Sequence, residues 1–233
     1  MTIPRIVSYP MPTAAELSVA DVDWEIDPAR AAVLIHDMQG YFVGCFPPGR
    51  PPVTDLVANI GRVRSAARDA GVPVLYSVQP GRVSRARRGL LHDFWGPGMT
   101  GEPADRDVIA ALRPGPGDHV VTKTRYSAFF RTEMAALLES LGRDQLVVCG
   151  VFAHIGCLFT VADAVSHDVQ AFLLGDAVAD FSRADHLMAL DHAAGCCAVT
   201  TTTRRFLDRA ATARPAPSAT RSRASGRSAG DGS

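Results

Sequence analysis

Short, uninterrupted runs of apolar and β-branched residues alternate with longer amphipathic segments along most of the chain. Runs without a polar face are typical of strands that are buried on both sides of a parallel sheet. They fall at Ala31–Ile35, Pro73–Val78, His119–Thr122, Gln145–Val151, Val169–Leu174 and Ala198–Thr202. Apolar residues at helical spacing fill the segments Thr54–Ala70, Ala104–Leu112, Thr132–Leu141, Cys157–His167 and Ala184–Ala194.

This repeated order of strand and helix predicts the fold class. Crossover connections between parallel strands place helices against the faces of the sheet. We therefore expect an α/β fold with an open, mostly parallel six-stranded sheet and helices on both faces, a Rossmann-like arrangement of three layers in one domain over residues 1–209. Ligands of such folds bind beyond the carboxyl ends of the strands. Asp37, Gln79 and Lys123 follow predicted strands, so a small-molecule site is expected there.

The last 24 residues, 210–233, differ in composition from the rest of the chain. They contain no Val, Ile, Leu, Met or aromatic residue. Such a segment has little apolar surface to bury in exchange for the entropy lost on ordering. We predict a disordered tail rich in Arg, Ser, Ala and Gly.

Composition excludes several classes of protein. The 233 residues carry a formal net charge of +0, which argues against a nucleic-acid partner bound through overall charge. No apolar run approaches the length of about 18 residues that a membrane span needs, so no membrane partner is expected. Five cysteines without metal-ligand spacing indicate reduced thiols and a cytoplasmic location. No metal-binding or nucleotide-binding motif occurs, and we expect no metal and no cofactor.

Lysine is nearly absent. Of the 24 Lys and Arg residues, only Lys123 is a lysine. Two interpretations stay open at this point: one lysine has survived a compositional bias by chance, or position 123 needs a compact ammonium that a guanidinium cannot replace.

Several segments carry a resemblance to a known family. The segments 36–39 (His-Asp-Met-Gln), 122–129 (Thr-Lys-Thr-Arg-Tyr-Ser-Ala-Phe) and 150–157 (Gly-Val-Phe-Ala-His-Ile-Gly-Cys) resemble the isochorismatase branch of the isochorismatase-like hydrolases, as do 88–98 and 179–182. The resemblance implies a parallel α/β sheet and hydrolysis of the enolpyruvyl vinyl ether of an isochorismate-type substrate. Both isochorismate and 2-amino-2-deoxyisochorismate fit, with release of pyruvate in siderophore or phenazine-type biosynthesis.

The resemblance also implies catalytic residues. Amidases of the wider superfamily use an Asp-Lys-Cys triad, and Asp37 and Lys123 fill its first two positions, whereas Gly156 stands at the position of the nucleophile. Cys157 lies one step further, and a rotation of about 100° per residue turns it into the helix packing. Asp37 is therefore expected to act as a general acid with no covalent intermediate. Two alternatives stay open: a nicotinamidase-like cysteine amidase that uses Cys157, and a non-catalytic binding relative.

Further implications concern the substrate and the assembly. The resemblance implies a free-standing homodimeric enzyme without a fused carrier domain, and a non-proline cis peptide at the turn Ala153-His154. Two positions depart from the family pattern, because Thr124 stands where a tryptophan is usual and Phe152 where a tyrosine is usual. The substrate-binding residues that the resemblance implies are Phe42, Gln79, Arg88, Trp95, Phe152 and Gly156.

Overall fold

The computed structural model describes residues 3–213. Its strands are β1 Ala31–His36, β2 Val74–Val78, β3 His119–Thr122, β4 Gln145–Val151, β5 Gln170–Ala179 and β6 Val199–Thr201. They form one sheet in the order β3-β2-β1-β4-β5-β6, and every pairing is parallel. The predicted parallel α/β sheet of six strands is confirmed.

Helices cover both faces of this sheet. They are α1 Gly40–Val43, α2 Val53–Asp69, α3 Arg85–Arg88, α4 Leu91–Trp95, α5 Pro103–Arg106, α6 Met134–Ser140, α7 Leu158–Ser166, α8 Arg183–Cys196 and α9 Thr203–Ala211. Short 3₁₀ turns lie at Ala14–Glu16 and Ala110–Leu112, and a π-helical turn at Ala153–Cys157 precedes α7. Helices α2 and α9 pack on one face, and α6, α7 and α8 pack on the other.

Strand β1 shows why the sheet is buried on both sides. Val33 and Ile35 belong to the hydrophobic cluster under α2, whereas Ala32 and Leu34 belong to the cluster under α7 and α8. Successive side chains of a strand point to opposite faces, so a strand without polar residues serves both clusters. Burying one large aliphatic side chain contributes about 1.5–3 kcal/mol.

The segment predicted as a helix over Ala104–Leu112 is broken in two. Its middle turns back toward the segment that follows β1, where Val108 forms an antiparallel bridge with Gln39. The carbonyl of Asp107 accepts from the Gly40 amide at 3.0 Å, and Ile109 donates to the Met38 carbonyl at 3.0 Å. These tertiary hydrogen bonds replace the helical ones, so the prediction of one helix is wrong.

The end of the described chain is a helix that the sequence analysis did not predict. In α9, Thr203, Phe206 and Ala210 are buried, and Thr202 caps the helix by accepting from the Arg205 amide at 3.2 Å. The predicted start of the tail at residue 210 therefore lies inside α9. The rest of that prediction, from residue 214, lies outside the described residues.

Within residues 3–213, no helix combines the length and the apolar character that a bilayer-spanning segment requires.

Candidate active site

The carboxyl ends of four neighbouring strands surround one cavity. Asp37 follows β1, Gln79 follows β2, Lys123 follows β3 and Phe152 follows β4, and all four line the cavity. From β1 the chain continues outward through β2 to β3 on one side of the sheet, and from β4 it continues through β5 to β6 on the other side. A crevice therefore opens between the loops that leave β1 and β4. Ligands of open α/β sheets bind at this switch point.

Asp37 and Lys123 form a buried ion pair in this crevice. Lys123 Nζ lies 2.8 Å from Asp37 Oδ2, and it also donates to the carbonyls of Arg125 at 3.0 Å and Tyr126 at 3.1 Å. The three N–H groups of the ammonium are thus all bonded. Only 3% of Asp37 and 2% of Lys123 are exposed. Removing one partner of such a pair leaves an uncompensated buried charge, which costs about 3–5 kcal/mol.

Two neutral groups complete the surroundings of the Asp37 carboxylate. Ser77 Oγ donates to Oδ1 at 2.7 Å, and Gln79 Nε2 donates to Oδ2 at 3.0 Å. Gln79 is itself fixed by the side-chain amide of Gln39, which accepts from the Gln79 backbone N–H at 2.7 Å and donates to its carbonyl at 2.8 Å. The buried Gln39 therefore sets the position from which Gln79 reaches the carboxylate.

These contacts favour the charged form of Asp37. Burial acts to raise the pKa of this carboxyl, but the charge of Lys123 and the hydrogen bonds from Lys123 and Gln79 outweigh burial and hold the pKa below its ordinary value. Burial lowers the pKa of His36 to about 4, so the imidazole is neutral near pH 7. The site without a ligand therefore contains a carboxylate, an ammonium and a neutral imidazole.

The ring of His36 lies directly against Gly156. A Cβ added to Gly156 would stand 2.1 Å from His36 Cε1 and 2.9 Å from both ring nitrogens. The ring is held in this position, because Nδ1 lies 2.9 Å from the Val151 carbonyl. Position 156, which the resemblance equates with an amidase nucleophile, thus has no room for a side chain unless His36 moves.

Cys157 lies outside the cavity. It has no exposed surface and packs in the cluster that contains Leu34, Val148 and Val161. Burial raises the pKa of its thiol well above the ordinary value, which keeps the sulfur protonated and unreactive. The geometry agrees with a structural thiol and weighs against the alternative of an amidase that uses Cys157.

Aromatic rings form one wall of the cavity. The ring centroid of Phe152 lies 5.9 Å from that of Phe42 and 4.6 Å from that of Phe181. Trp95 packs at 5.9 Å from Phe181 and donates from Nε1 to the Tyr126 hydroxyl at 2.8 Å. This wall offers flat apolar surface to a ring-shaped ligand.

Arg88 brings a second positive charge to the cavity. Its Nε donates to the Gly96 carbonyl at 2.5 Å, and its guanidinium lies against Gly98, where an added Cβ would come within 2.4 Å of Nη1. Among residues 3–213, no carboxylate lies within ion-pair distance of this guanidinium. Arg88 therefore presents a guanidinium without an ion-pair partner, and such a group suits a carboxylate ligand.

The structure brings the predicted site residues together. Asp37, Phe42, Gln79, Arg88, Trp95, Lys123, Phe152 and Gly156 all line the same cavity, whereas Thr124 does not. The sequence analysis missed other lining residues, among them Tyr41, Met99, Tyr126, Ile155 and Phe181. Tyr126 and Phe181 lie within the segments 122–129 and 179–182. The resemblance of these segments to the family could have identified both residues.

The non-proline cis peptide joins Val151 and Phe152, so the expectation of a cis bond at Ala153-His154 is wrong by two residues. No group of three or more His, Cys, Asp or Glu side chains within residues 3–213 is arranged to hold a metal ion.

Comparison with known proteins adds a family match. A family model described as the isochorismatase domain matches residues 31–205. A protein of Pseudomonas chlororaphis named probable isochorismatase is 51% identical over 201 residues, which are 86% of this chain and 96% of that protein. The phenazine biosynthesis protein PhzD1 of Pseudomonas aeruginosa is 48% identical over 206 residues, covering 88% of this chain and 99% of the relative.

A solved structure agrees with the fold. The crystal structure of a cysteine hydrolase from Pseudomonas syringae pv. phaseolicola superposes with a TM-score of 0.75 at 28% sequence identity. The match covers 89% of this chain and 100% of that one.

Proposed function

The chain is a hydrolase of the isochorismatase family, and we propose that it hydrolyses the enolpyruvyl vinyl ether of an isochorismate-type substrate. The products are pyruvate and a dihydro-aromatic acid. Asp37 acts as the general acid, Lys123 fixes the Asp37 side chain through their ion pair, and no covalent intermediate forms.

One observation carries this proposal: the cavity contains a buried carboxylate but has no space for a nucleophile beside it. The ring of His36 occupies the volume that a side chain at Gly156 would need, and Cys157 is buried elsewhere. An amide hydrolase of this superfamily needs the missing thiol, whereas a vinyl ether can be cleaved by protonation and attack of water, without a nucleophile from the protein.

The chemistry follows from the polarity of an enol ether. Asp37 gives its proton to the methylene carbon of the enolpyruvyl group, and the π electrons form the new C–H bond. The adjacent carbon becomes an oxocarbenium ion, which water attacks with loss of a proton. The resulting hemiketal expels the ring oxygen as a hydroxyl and leaves pyruvate. A positioned general acid contributes about 10²–10⁴-fold to such a step.

The low pKa of Asp37 opposes acid catalysis while the site is empty. A substrate with two carboxylates changes this balance. Its negative charges neutralise Lys123 and the unpaired Arg88, and its ring displaces water from the aromatic wall. Loss of the opposing positive field and desolvation both raise a carboxyl pKa. Asp37 then takes up a proton in the complex.

The other predicted contacts suit the same substrate. Arg88 offers a bidentate partner for a carboxylate, and Gln79 offers an amide for a carboxylate or a ring hydroxyl. Phe42, Trp95 and Phe152 bracket the ring, while Gly156 lines the cavity with the His36 ring packed against it.

The test is release of pyruvate from isochorismate and from 2-amino-2-deoxyisochorismate, measured side by side with Asp37→Asn as the control. In water enriched in ¹⁸O, the hydroxyl left on the released ring keeps its ordinary oxygen, because the ring C–O bond stays intact. Label in that hydroxyl contradicts cleavage at the vinyl carbon. Failure on both substrates removes the proposed function.

The assembly and the location remain predictions that rest on the family resemblance. We propose a homodimer in the cytoplasm, and we propose that the folded body of the chain forms the dimer. Sedimentation of the full chain and of a chain ending at residue 213 tests two of these points. Both are expected to sediment as dimers.

A further inference from the structure

Ser77 is a buried hydroxyl that lies outside the motifs described above. It lies in β2 opposite His36 of β1 and has no exposed surface. Its Oγ lies 2.7 Å from Asp37 Oδ1, which is its hydrogen-bond partner among the described residues. A hydroxyl at a buried strand position costs free energy unless it is bonded, so the contact with Asp37 is what keeps a polar group here.

The two oxygens of Asp37 meet different kinds of partner. Oδ2 faces Lys123 Nζ at 2.8 Å and Gln79 Nε2 at 3.0 Å, and both of these groups only donate. Oδ1 faces the Ser77 hydroxyl, which can donate or accept according to its rotation. When Asp37 is protonated, therefore, only Oδ1 has a neighbour that can accept the proton in a hydrogen bond.

We propose that Ser77 is the positioning residue that serves both charge states of the Asp37 acid. This inference rests on the proposed function, in which Asp37 alternates between carboxyl and carboxylate. The Ser77 hydroxyl accepts from Oδ1–H in the protonated acid. Before transfer, the O–H bond rotates out of this hydrogen bond toward the methylene carbon. When the proton leaves, the O–H electron pair stays on Oδ1, and the Ser77 hydroxyl turns to donate to the new carboxylate.

The second of these bonds is the stronger one. A hydrogen bond to a charged oxygen is roughly twice as strong as one between neutral groups. Since charge develops on Oδ1 during proton transfer, the contact stabilises the transition state more than the ground state, and this difference accelerates the step. Loss of the hydroxyl is therefore expected to lower kcat more than it changes KM.

Other titratable groups that face Asp37 stay in place when Ser77 changes. They are Lys123 beyond β3, His36 in β1, Cys157 at the end of the π-helical turn, and Arg88, Tyr41 and Tyr126 around the cavity. Replacing Ser77 by alanine removes the donor to Oδ1 and leaves both contacts of Oδ2, so one oxygen is altered alone.

The experiment is the dependence of kcat on pH for the wild type, Ser77→Ala and Ser77→Thr. Ser77→Ala is expected to lower the acidic plateau of kcat about tenfold and to move the decline at higher pH upward by about one unit, since a hydrogen bond to a charged group is lost. KM is expected to stay within about twofold. Ser77→Thr keeps the hydroxyl and is expected to keep the position of the decline.

A fall of kcat in Ser77→Ala without a shift along the pH axis would show a merely structural role and overturns the proposal. Equal shifts in the alanine and threonine variants overturn it as well. Titration of the Asp37 carboxyl by ¹³C NMR needs no turnover and separates this inference from the function. A higher pKa in Ser77→Ala supports the contact even if no tested substrate is cleaved, and an unchanged pKa refutes it for any substrate.

Discussion

His36 and Gly156 are matched in size where the His36 ring packs against the backbone of Gly156. The imidazole stands where a Cβ at position 156 would lie, at 2.1 Å from its Cε1. Such a contact ties the two positions together, because neither residue can enlarge without the other becoming smaller. It also separates this site from that of an enzyme with a nucleophile at position 156.

The first prediction tests this match in size. Gly156→Ala forces the His36 ring aside, and overpacking of this kind costs about 1–3 kcal/mol. Combining it with His36→Ala is expected to recover part of that loss. Urea unfolding of both single variants and the double variant measures the coupling free energy. Strictly additive losses would mean that the two residues do not share one volume.

The second prediction concerns the acid. Asp37→Asn keeps the shape of the side chain and an acceptor for Lys123 but has no acidic proton, so pyruvate release is expected to fall at least about a hundredfold. Product binding is expected to survive, since the shape of the cavity is retained. Asp69→Asn, at the exposed end of α2, is the matched control. Turnover near that of the wild type in Asp37→Asn would show that another group donates the proton.

The third prediction is that Lys123→Arg is not conservative. Lys123 Nζ meets three acceptors within 3.1 Å in a buried site, and the larger planar guanidinium cannot occupy that point without moving its neighbours. Activity is expected to fall at least about tenfold, since a small displacement of catalytic groups is costly. Arg62→Lys on α2 makes the opposite exchange as a control. An active Lys123→Arg enzyme would support chance survival of the lone lysine.

Strand positions and the main site residues were predictable from the sequence because each depends on local patterns. Buried parallel strands need apolar runs, and β1, β3 and β4 agree with prediction at nearly every residue. Strand β5 continues to Ala179, five residues beyond its predicted end. Gly175 and the polar Asp176 interrupt its apolar run, and only pairing with β4 shows that the strand goes on.

Other features depend on distant contacts and could not be predicted in this way. The break between α5 and the 3₁₀ turn at Ala110–Leu112 exists because Gln39 pairs with Val108. The role of the His36 ring beside Gly156 depends on two segments that are 120 positions apart (156 − 36). Helix α9 was missed for a different reason. Its buried residues Thr203, Phe206 and Ala210 follow helical spacing, but the charged residues between them obscured this pattern.

The fourth prediction is a loss of stability in acid caused by buried histidines. Burial lowers the pKa values of His36 and His186 to about 4 each, below the ordinary value of about 6.5 for an unfolded chain. The unfolded state therefore binds protons first, so stability is complete above pH 6.5 and is lost as pH falls toward 4. Each histidine contributes up to about 3 kcal/mol over this window.

Urea unfolding at a series of pH values measures this loss. The free energy of unfolding is expected to decline between pH 6.5 and 4, and His186→Gln is expected to decline less steeply, since one titrating group is gone. Asp69→Asn, which changes an exposed residue and no histidine, serves as the control for a surface substitution. A flat profile over this range would contradict buried neutral histidines.

The last prediction concerns Phe152 and the choice between the two substrates. Phe152 lines the cavity and packs against Phe42 and Phe181, at a position where the family usually has a tyrosine. In Phe152→Tyr, the added hydroxyl can accept from an ammonium or exchange a hydrogen bond with a ring hydroxyl. The two substrates differ in this group, so their kcat/KM values are expected to respond unequally. One satisfied polar contact shifts the ratio by about 1 kcal/mol, roughly fivefold.

Phe46→Tyr is a suitable control, because Phe46 stacks on Phe152 at 5.9 Å but does not line the cavity. Equal factors for both substrates in Phe152→Tyr would mean that position 152 does not contact the ring substituent, and Arg88 would then be the next residue to test for selectivity.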